Sequence, residues 1–422
     1  MKITILGLGY VGFTSMCCLA HQGHDVVGID VNETKVQAIN SGAAPIVEPE
    51  VCALLQRALA AGRVAAFAHI DNHLDDSDVA IVCVGTPSAP DGSHDMSYIA
   101  KVTHQIAASV KRDRSAPLAV VFRSTVRPGT MEGLIVPIFA ASLGKGYACV
   151  IEPVYNPEFL RESSAVADYF GPSKIVIGTG DGRPSPRMEA LYADLSAPRF
   201  YVRFGDAELT KLVDNAWHAV KIAFANEIGR LCLQLGLSAA TAHEIFVSDT
   251  KLNISPYYLR PGGAFGGSCL PKDVRALQQL SADCGANTPL IDALLRSNEG
   301  HKFRLFQYAT AGLQPGAAVL LAGIAFKDGT DDLRESPNVD LARALLRAGF
   351  ELAIFDPTVD VSRLAGANLG YAWSQLPQLA KLLVSKADAE TRRFDRVLAT
   401  NKTVWQLALP KGQEVIDLSR LA

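Results

Sequence analysis

The first thirty residues constrain the fold more than any other stretch. "KITIL" (2–6) is an apolar run of strand length, "GLGYVG" (7–12) breaks it with three glycines, and "HDVVGID" (24–30) begins a second strand after a helix-length interval. That order describes a β-α-β unit, and it gives Gly7, Gly9 and Gly12 a physical meaning. They allow a tight turn, close approach of the backbone to a pyrophosphate at the helix N-terminus, and packing of helix on strand. Asp30 ends the second strand, where a carboxylate accepts from the hydroxyls of an adenosine ribose. A carboxylate there repels a 2′-phosphate and no arginine directly follows it, so NAD is expected rather than NADP. Lys35 is within reach of the same ribose.

Further apolar runs, "VAIVCVGTP" (79–87), "LAVVFRSTV" (118–126) and "KIVIGTG" (174–180), alternate with helical stretches, which predicts a mainly parallel, doubly wound sheet. From 206 to 235 the pattern changes to a stretch with a single glycine and no proline, long enough for a helix of about 45 Å. Helical sequence continues to about 312. A second alternating region follows, with strands at "AAVLLAGI", "ELAIFDP", "RVLAT" and "EVIDL" and no second G-x-G-x-x-G turn. The predicted fold is α/β: two doubly wound Rossmann-like domains, 1–200 and 313–422, joined by a helical region, 201–312, that contains one long helix.

Composition narrows the partners. Apolar residues make up 49% and charged residues 20%, and a net charge of −3 supplies no basic field for nucleic acid or an anionic membrane. The eight cysteines form neither a CxxC nor a Cys/His metal spacing, so reduced thiols in a cytoplasm are expected, with no metal. The apolar N-terminus is broken by "GLGYVG" and reads as a strand rather than a signal peptide, and "AAVLLAGIAF" is too short to span a bilayer.

Three stretches carry candidate chemistry. In "GGAFGGSCLPKDVRAL" (262–277), Cys269 follows a glycine-rich run and stands where Pro271 opens a helix, so unpaired amides and Lys272 favour a thiolate there. In "YNPEFLRES" (155–163), Glu158 and Glu162 are four apart and would share a face if helical. On the long helix, Lys211, Asn215, His218 and Asn226 fall on one stripe, and Lys211 and Asn215, one turn apart, can both donate to one developing oxyanion. Thr86 in "VGTPS" and Thr125 in "RSTVRPGT" follow strands of the first sheet, on the side where such sheets bind ligands.

With these motifs in this order, joined by "FKDGTDDLRESP", the chain from residue 1 to about 345 resembles the nucleotide-sugar 6-dehydrogenases, the family of UDP-glucose and GDP-mannose dehydrogenases. "NAWHAVK" and "YYLRPGGAFGGSCLPKDVRAL" are most similar to its GDP-mannose branch. The resemblance implies an N-terminal NAD domain, a helical core that forms an intertwined homodimer or a higher assembly, and a C-terminal nucleotide-sugar domain. It implies that Cys269 attacks an aldehyde at sugar C6, that Lys211 and Asn215 hold the C6 oxygen, and that Asp273 and Glu158 order water and move protons. Tyr10, Val11, Asp30, Lys35, Thr86, Thr125, Lys272 and Arg334 are matched to NAD. Glu162, Lys211, Asn215, His218, Asn226, Tyr257, Tyr258, Arg260, Gly263 and Lys327 are matched to the nucleotide sugar. From "GANLGYAW" onward the chain is compressed relative to the family pattern, and no residue is assigned there.

The implied reaction is oxidation of GDP-mannose to GDP-mannuronate with two NAD reduced, UDP-glucose being the alternative substrate. Two other readings compete. A β-hydroxyacid dehydrogenase also pairs a dinucleotide domain with helices, but it needs neither Cys269 nor residues 317–422. A non-catalytic NAD sensor would not need Cys269, Lys211 and Asn215 together.

Overall fold

Alternate residues of each apolar run are sent to opposite faces of a sheet, and in this chain both faces are covered. Ile3, Ile5, Val79, Ile81, Ala119 and Val121 join one core, while Leu6, Ala80, Val82, Leu118, Val120 and Phe122 join another. Burial on both faces explains why these strands read as continuous apolar runs. The computed structural model describes residues 1–87, 95–255, 258 and 262–419, which fall into two units, Met1–His218 and Ala219–Ala422.

The first unit is built on eight strands: β1 (Lys2–Leu6), β2 (Asp25–Ile29), β3 (Val64–Phe67), β4 (Val79–Val82), β5 (Leu118–Phe122), β6 (Ile151–Tyr155), β7 (Ile175–Thr179) and β8 (Arg199–Arg203). Their spatial order is β3-β2-β1-β4-β5-β6-β7-β8. All neighbours are parallel except β6 and β7, which meet antiparallel at Tyr155 and Gly178. The chain winds outward from β1 in both directions, so the crevice between the carboxyl ends of β1 and β4 is where a ligand can enter. The predicted strands at 2–6, 24–30, 79–87, 118–126 and 174–180 each contain one of these; β3, β6 and β8 lie outside the predicted strands.

The second unit carries β9 (Ala318–Ala322), β10 (Glu351–Phe355), β11 (Arg396–Ala399) and β12 (Val415–Asp417) in the all-parallel order β10-β9-β11-β12. Each lies inside a stretch predicted as a strand. Val319 and Leu321 enter one core and Leu320 and Ala322 the other, repeating the pattern of the first sheet. Among the described residues, no helix is long and apolar enough to cross a membrane.

The long helix runs Phe204–Leu235, two residues earlier than the sequence pattern suggests, because Phe204 packs into the core that holds Leu6, Ala80 and Phe122. Two buried carboxylates on it accept pairs of backbone amides. Glu208 accepts from Gly129 N and Met131 N at 2.7 Å each. Glu227 accepts from Leu290 N and Ile291 N at 2.7 and 3.0 Å, capping the helix Pro289–Thr310. Helix starts leave their amides without intrahelical acceptors, so each carboxylate satisfies donors that would otherwise be orphaned.

Burial raises the Glu208 carboxyl above its ordinary value, although the Met131 and Gly129 amides pull it back. A carboxyl raised by folding contributes most below its unfolded value, and the contribution is lost as pH rises through the raised one. Glu208→Ala, which leaves two N–H groups unpaired, should cost about 2 kcal/mol in urea unfolding with an unchanged m-value. The stability difference between wild type and Glu208→Gln should shrink from pH 5 to pH 8. A Glu208→Ala variant as stable as wild type would contradict the capping role.

Candidate functional site

The glycine turn after β1 is shaped by close contacts. Gly7 has φ +95°, and a Cβ there would stand 2.9 Å from the Cys83 carbonyl. At Gly12 a Cβ would come within 1.9 Å of the Gly7 carbonyl oxygen. Gly9 is different: a Cβ there meets nothing within 4 Å. It is the N-cap of the helix Tyr10–His21, with φ −70°, and among the described residues no side chain caps the first-turn amides. The backbone at Gly9 is therefore bare at a helix N-terminus, the arrangement a pyrophosphate requires.

Asp30 directly follows β2 beside that turn. It accepts from Leu8 N at 2.8 Å, Asn32 N at 3.0 Å and Lys35 Nζ at 2.7 Å. Burial opposes its charge, but Lys35 and the two amides outweigh it and hold the carboxyl below the ordinary range. Oδ2 takes two of these donors and Oδ1 one, which leaves Oδ1 able to accept a ribose hydroxyl. Gly9, Asp30, Lys35 and Gly85 line one cleft of about 620 Å³. Thr86 donates to the Thr125 carbonyl at 2.8 Å and Ser124 to the Val84 carbonyl at 2.6 Å, tying together the loops after β4 and β5. Ser88 of "VGTPS" lies outside the described residues. These groups fit a dinucleotide.

A second cleft in the same unit, about 410 Å³, is lined by Arg123, Glu158, Phe159, Lys211, Asn215 and His218. Lys211 Nζ is 3.0 Å from Glu158 Oε1, and both side chains are largely buried. The other Glu158 oxygen accepts from Leu160 N at 2.6 Å. Lys211 and Lys174 also face the Phe159 ring, at 5.8 and 4.5 Å from its centre, and Lys174 pairs with Asp214 at 2.6 Å. Asn215 and His218 are exposed on the following turns. One ammonium with a carboxylate against it and an amide one turn away can polarise a hydroxyl and take up its proton.

Glu158 and Glu162 do not share a helical face. Residues 156–161 are not helical, and Ser163 has φ +69°. Arg161 instead bonds Asp168 through its backbone and side chain. Glu162 is exposed. Beneath this segment Arg123 is buried, donating to Ser15 Oγ at 3.0 Å, Asn156 Oδ1 at 2.8 Å and the Tyr192 hydroxyl. Sequence reasoning missed Arg123, Lys174 and Glu48, whose partners lie far away along the chain.

In the second unit, Cys269 is exposed and is the N-cap of the helix Leu270–Cys284, with Pro271 in its first turn. The glycines before it answer to close packing. A Cβ on Gly266 would stand 2.3 Å from the Glu335 carbonyl oxygen, and one on Gly267 (φ +85°) would stand 2.7 Å from the Phe326 ring. Arg275 grips the Glu335 carboxylate at 2.9 and 3.3 Å. "FGGSCLPKD" and "FKDGTDDLRESP" are thus brought against each other. Arg334 makes a bidentate pair with Asp332, which holds its guanidinium above the ordinary value, and Cys269 adds to that effect. Lys272 and Asp273 are exposed and 3.3 Å apart. Lys327, Gly263 and Asn226 are exposed. Tyr258 is exposed with φ +64°, whereas Tyr257 and Arg260 lie outside the described residues.

The two glycines make opposite demands. Gly9→Ala should leave the unfolding midpoint unchanged yet weaken NAD binding, because its methyl points into open space where the pyrophosphate approaches. Gly12→Ala should lower the midpoint itself. NAD titration followed on both variants by fluorescence separates the two; equal NAD affinity in Gly9→Ala and wild type would contradict the turn's role.

The UDP-glucose/GDP-mannose dehydrogenase family matches with its NAD binding domain over residues 1–196, its central domain over 205–300 and its UDP binding domain over 320–401. The resemblance therefore continues well past residue 345. The GDP-mannose 6-dehydrogenase of Pseudomonas putida is 42% identical over 99% of this chain and 96% of that protein. The UDP-glucose 6-dehydrogenase of Pseudomonas aeruginosa is 33% identical over 85% of this chain and 80% of that protein. A crystal structure of a ternary complex of GDP-mannose dehydrogenase from Pseudomonas aeruginosa superposes with a TM-score of 0.91 at 40% identity, covering 99% of this chain and 96% of that one. The UDP-glucose dehydrogenase of Pyrobaculum islandicum gives 0.57 at 33% identity, covering 100% and 94%. The chain belongs to the UDP-glucose/GDP-mannose dehydrogenase family.

Proposed function

We propose that this NAD-dependent dehydrogenase is a GDP-mannose 6-dehydrogenase, converting the C6 alcohol of GDP-mannose to the carboxylate of GDP-mannuronate. The observation that carries the choice of sugar is the full-length similarity to GDP-mannose 6-dehydrogenases, with the TM-score of 0.91 against 0.57 for the UDP-glucose enzyme. The β-hydroxyacid dehydrogenase and sensor readings give way to the family assignment.

The chemistry divides among this chain's residues. Lys211 and Asn215 hold the C6 oxygen and stabilise negative charge as its proton leaves, and Glu158, paired with Lys211, takes up that proton. Gly9, Asp30 and Lys35 would hold NAD, which would supply the hydride acceptor for each of the two oxidations at C6. Between them the Cys269 thiolate adds to the aldehyde carbon, giving a thiohemiacetal. Loss of the second hydride leaves a thioester, and water, ordered by Asp273, cleaves the C–S bond to release the acid and restore the thiol. An exposed N-cap at a helix start suits a thiolate nucleophile. Arg334 and Lys272 are assigned to NAD, and Tyr258, Gly263, Asn226, Glu162 and Lys327 to the nucleotide sugar together with Tyr257 and Arg260. His218 is assigned to the axial C2 hydroxyl that distinguishes mannose from glucose. A site built to bond a hydroxyl discriminates strongly against an analogue that misplaces it.

Leu209, Val213, Ile222 and Leu233 of the long helix are exposed apolar residues, which supports a homodimer through this region. The reading places the enzyme in a cytoplasm, supplying an activated uronate to polysaccharide biosynthesis of the alginate type.

Catalytic efficiency measured on GDP-mannose and UDP-glucose tests the substrate. GDP-mannose should be preferred clearly, and a preference for UDP-glucose would overturn that choice. Cys269→Ala should form no sugar acid while retaining NAD binding; acid at the wild-type rate rejects the nucleophile. Lys211→Ala should lose about a hundredfold or more in turnover, far more than in NAD affinity. A loss confined to NAD binding would assign the lysine elsewhere.

A further inference from the structure

One buried carboxylate outside the assigned machinery ties the helix that opens at the glycine turn to the segment that carries Glu158. Glu48, 7% exposed, stands just before the helix Val51–Ala60. Its Oε2 accepts from Ser163 N at 2.8 Å and from the Tyr10 hydroxyl, and its Oε1 accepts from Ala165 N at 2.8 Å. Ser163 N is also 3.0 Å from the Tyr10 hydroxyl oxygen, so Tyr10, Glu48 and Ser163 form a closed triangle. Tyr10 is the first residue of the helix that opens at the glycine turn. Ser163 and Ala165 end the segment that carries Glu158 to Lys211.

We propose that Glu48 is a positioning residue that couples dinucleotide binding at the glycine turn to the order of segment 156–165, so that cofactor and nucleotide sugar reinforce each other's binding. The proposal rests on the reading that the nucleotide sugar is held beside Glu158 and Lys211.

The geometry dictates the coupling. Ser163 holds φ +69°, a conformation that costs a residue with a Cβ free energy, and its N–H is fixed there by both Glu48 and Tyr10. Burial, with the Glu48 bond adding, raises the Tyr10 hydroxyl to about 12, so it keeps its proton at neutral pH and remains a donor to Glu48. A ligand that fixes Tyr10 therefore fixes the carboxylate that two backbone amides of the sugar-side segment share. A ligand that orders the segment fixes Tyr10 in return, as linkage requires.

NADH fluorescence tests this without turnover, because NADH cannot oxidise the sugar. NADH is titrated with and without saturating GDP-mannose, or UDP-glucose should the wild type oxidise only that sugar, so an error in the substrate changes the ligand and not the test. The wild type should bind NADH about fivefold or more tightly when the sugar is present. In Glu48→Gln, whose single carbonyl oxygen cannot serve both amides and the hydroxyl, that ratio should fall to near one. Tyr10→Phe, which leaves both amide bonds to Glu48 in place, should lose the same ratio, and the double variant should lose no more. A wild-type ratio of one, or a wild-type ratio retained in Glu48→Gln, overturns the proposal. Should Glu48→Gln fail to fold by circular dichroism, an undiminished ratio in Tyr10→Phe overturns it alone.

Discussion

A strand buried on both faces has no place for a chemically active side chain, and that constraint arranges most of this molecule. Ile3, Ile5 and Leu6 of β1, and the matching residues of β4 and β5, are all buried and divided between two cores. Polar groups with work to do are displaced to the turns at the strands' carboxyl ends. There stand the glycine turn, Asp30, the Thr86 loop and the Thr125 loop, cross-linked by the Thr86–Thr125 and Ser124–Val84 hydrogen bonds. The sheet supplies rigidity, and its edge supplies recognition.

Buried carboxylates then hold the turns. Glu48, Glu208 and Glu227 each accept two backbone amides from a segment remote in sequence. A carboxyl group inside a protein needs partners for its oxygens, and helix starts offer unpaired amides that need acceptors. Each pairing meets both requirements. Two of the three carboxylates sit on the long helix, and Lys211 lies one turn beyond Glu208, so the same helix anchors a loop and presents the ammonium that meets Glu158.

Local signals made much of this legible. Apolar runs of strand length marked β1, β2, β4, β5 and β7, and a glycine-poor stretch marked the long helix to within two residues of its start. β8, "RFYVR", escaped because it lies at the sheet edge with only partial burial and an arginine at each end. Glu158 and Glu162 had helical spacing, but Pro157 and the left-handed Ser163 exclude a helix there. Cys269 was visible because a helix start is a local event. Glu48 was not, since its role depends on partners 38 to 117 residues away. In the sequence Gly266 and Gly267 are only part of a glycine-rich run before Cys269, whereas in the fold they are sites of close approach by Glu335 and Phe326.

In the proposed reaction a C6 alcohol passes through two successive oxidations, with the sugar held on Cys269 between them. The number of NADH molecules formed per GDP-mannose consumed, followed by absorbance with the sugar limiting, tests it most directly. Two NADH per sugar, with GDP-mannuronate as the product and no aldehyde released, is the predicted result. One NADH per sugar, with free aldehyde accumulating in solution, would contradict it.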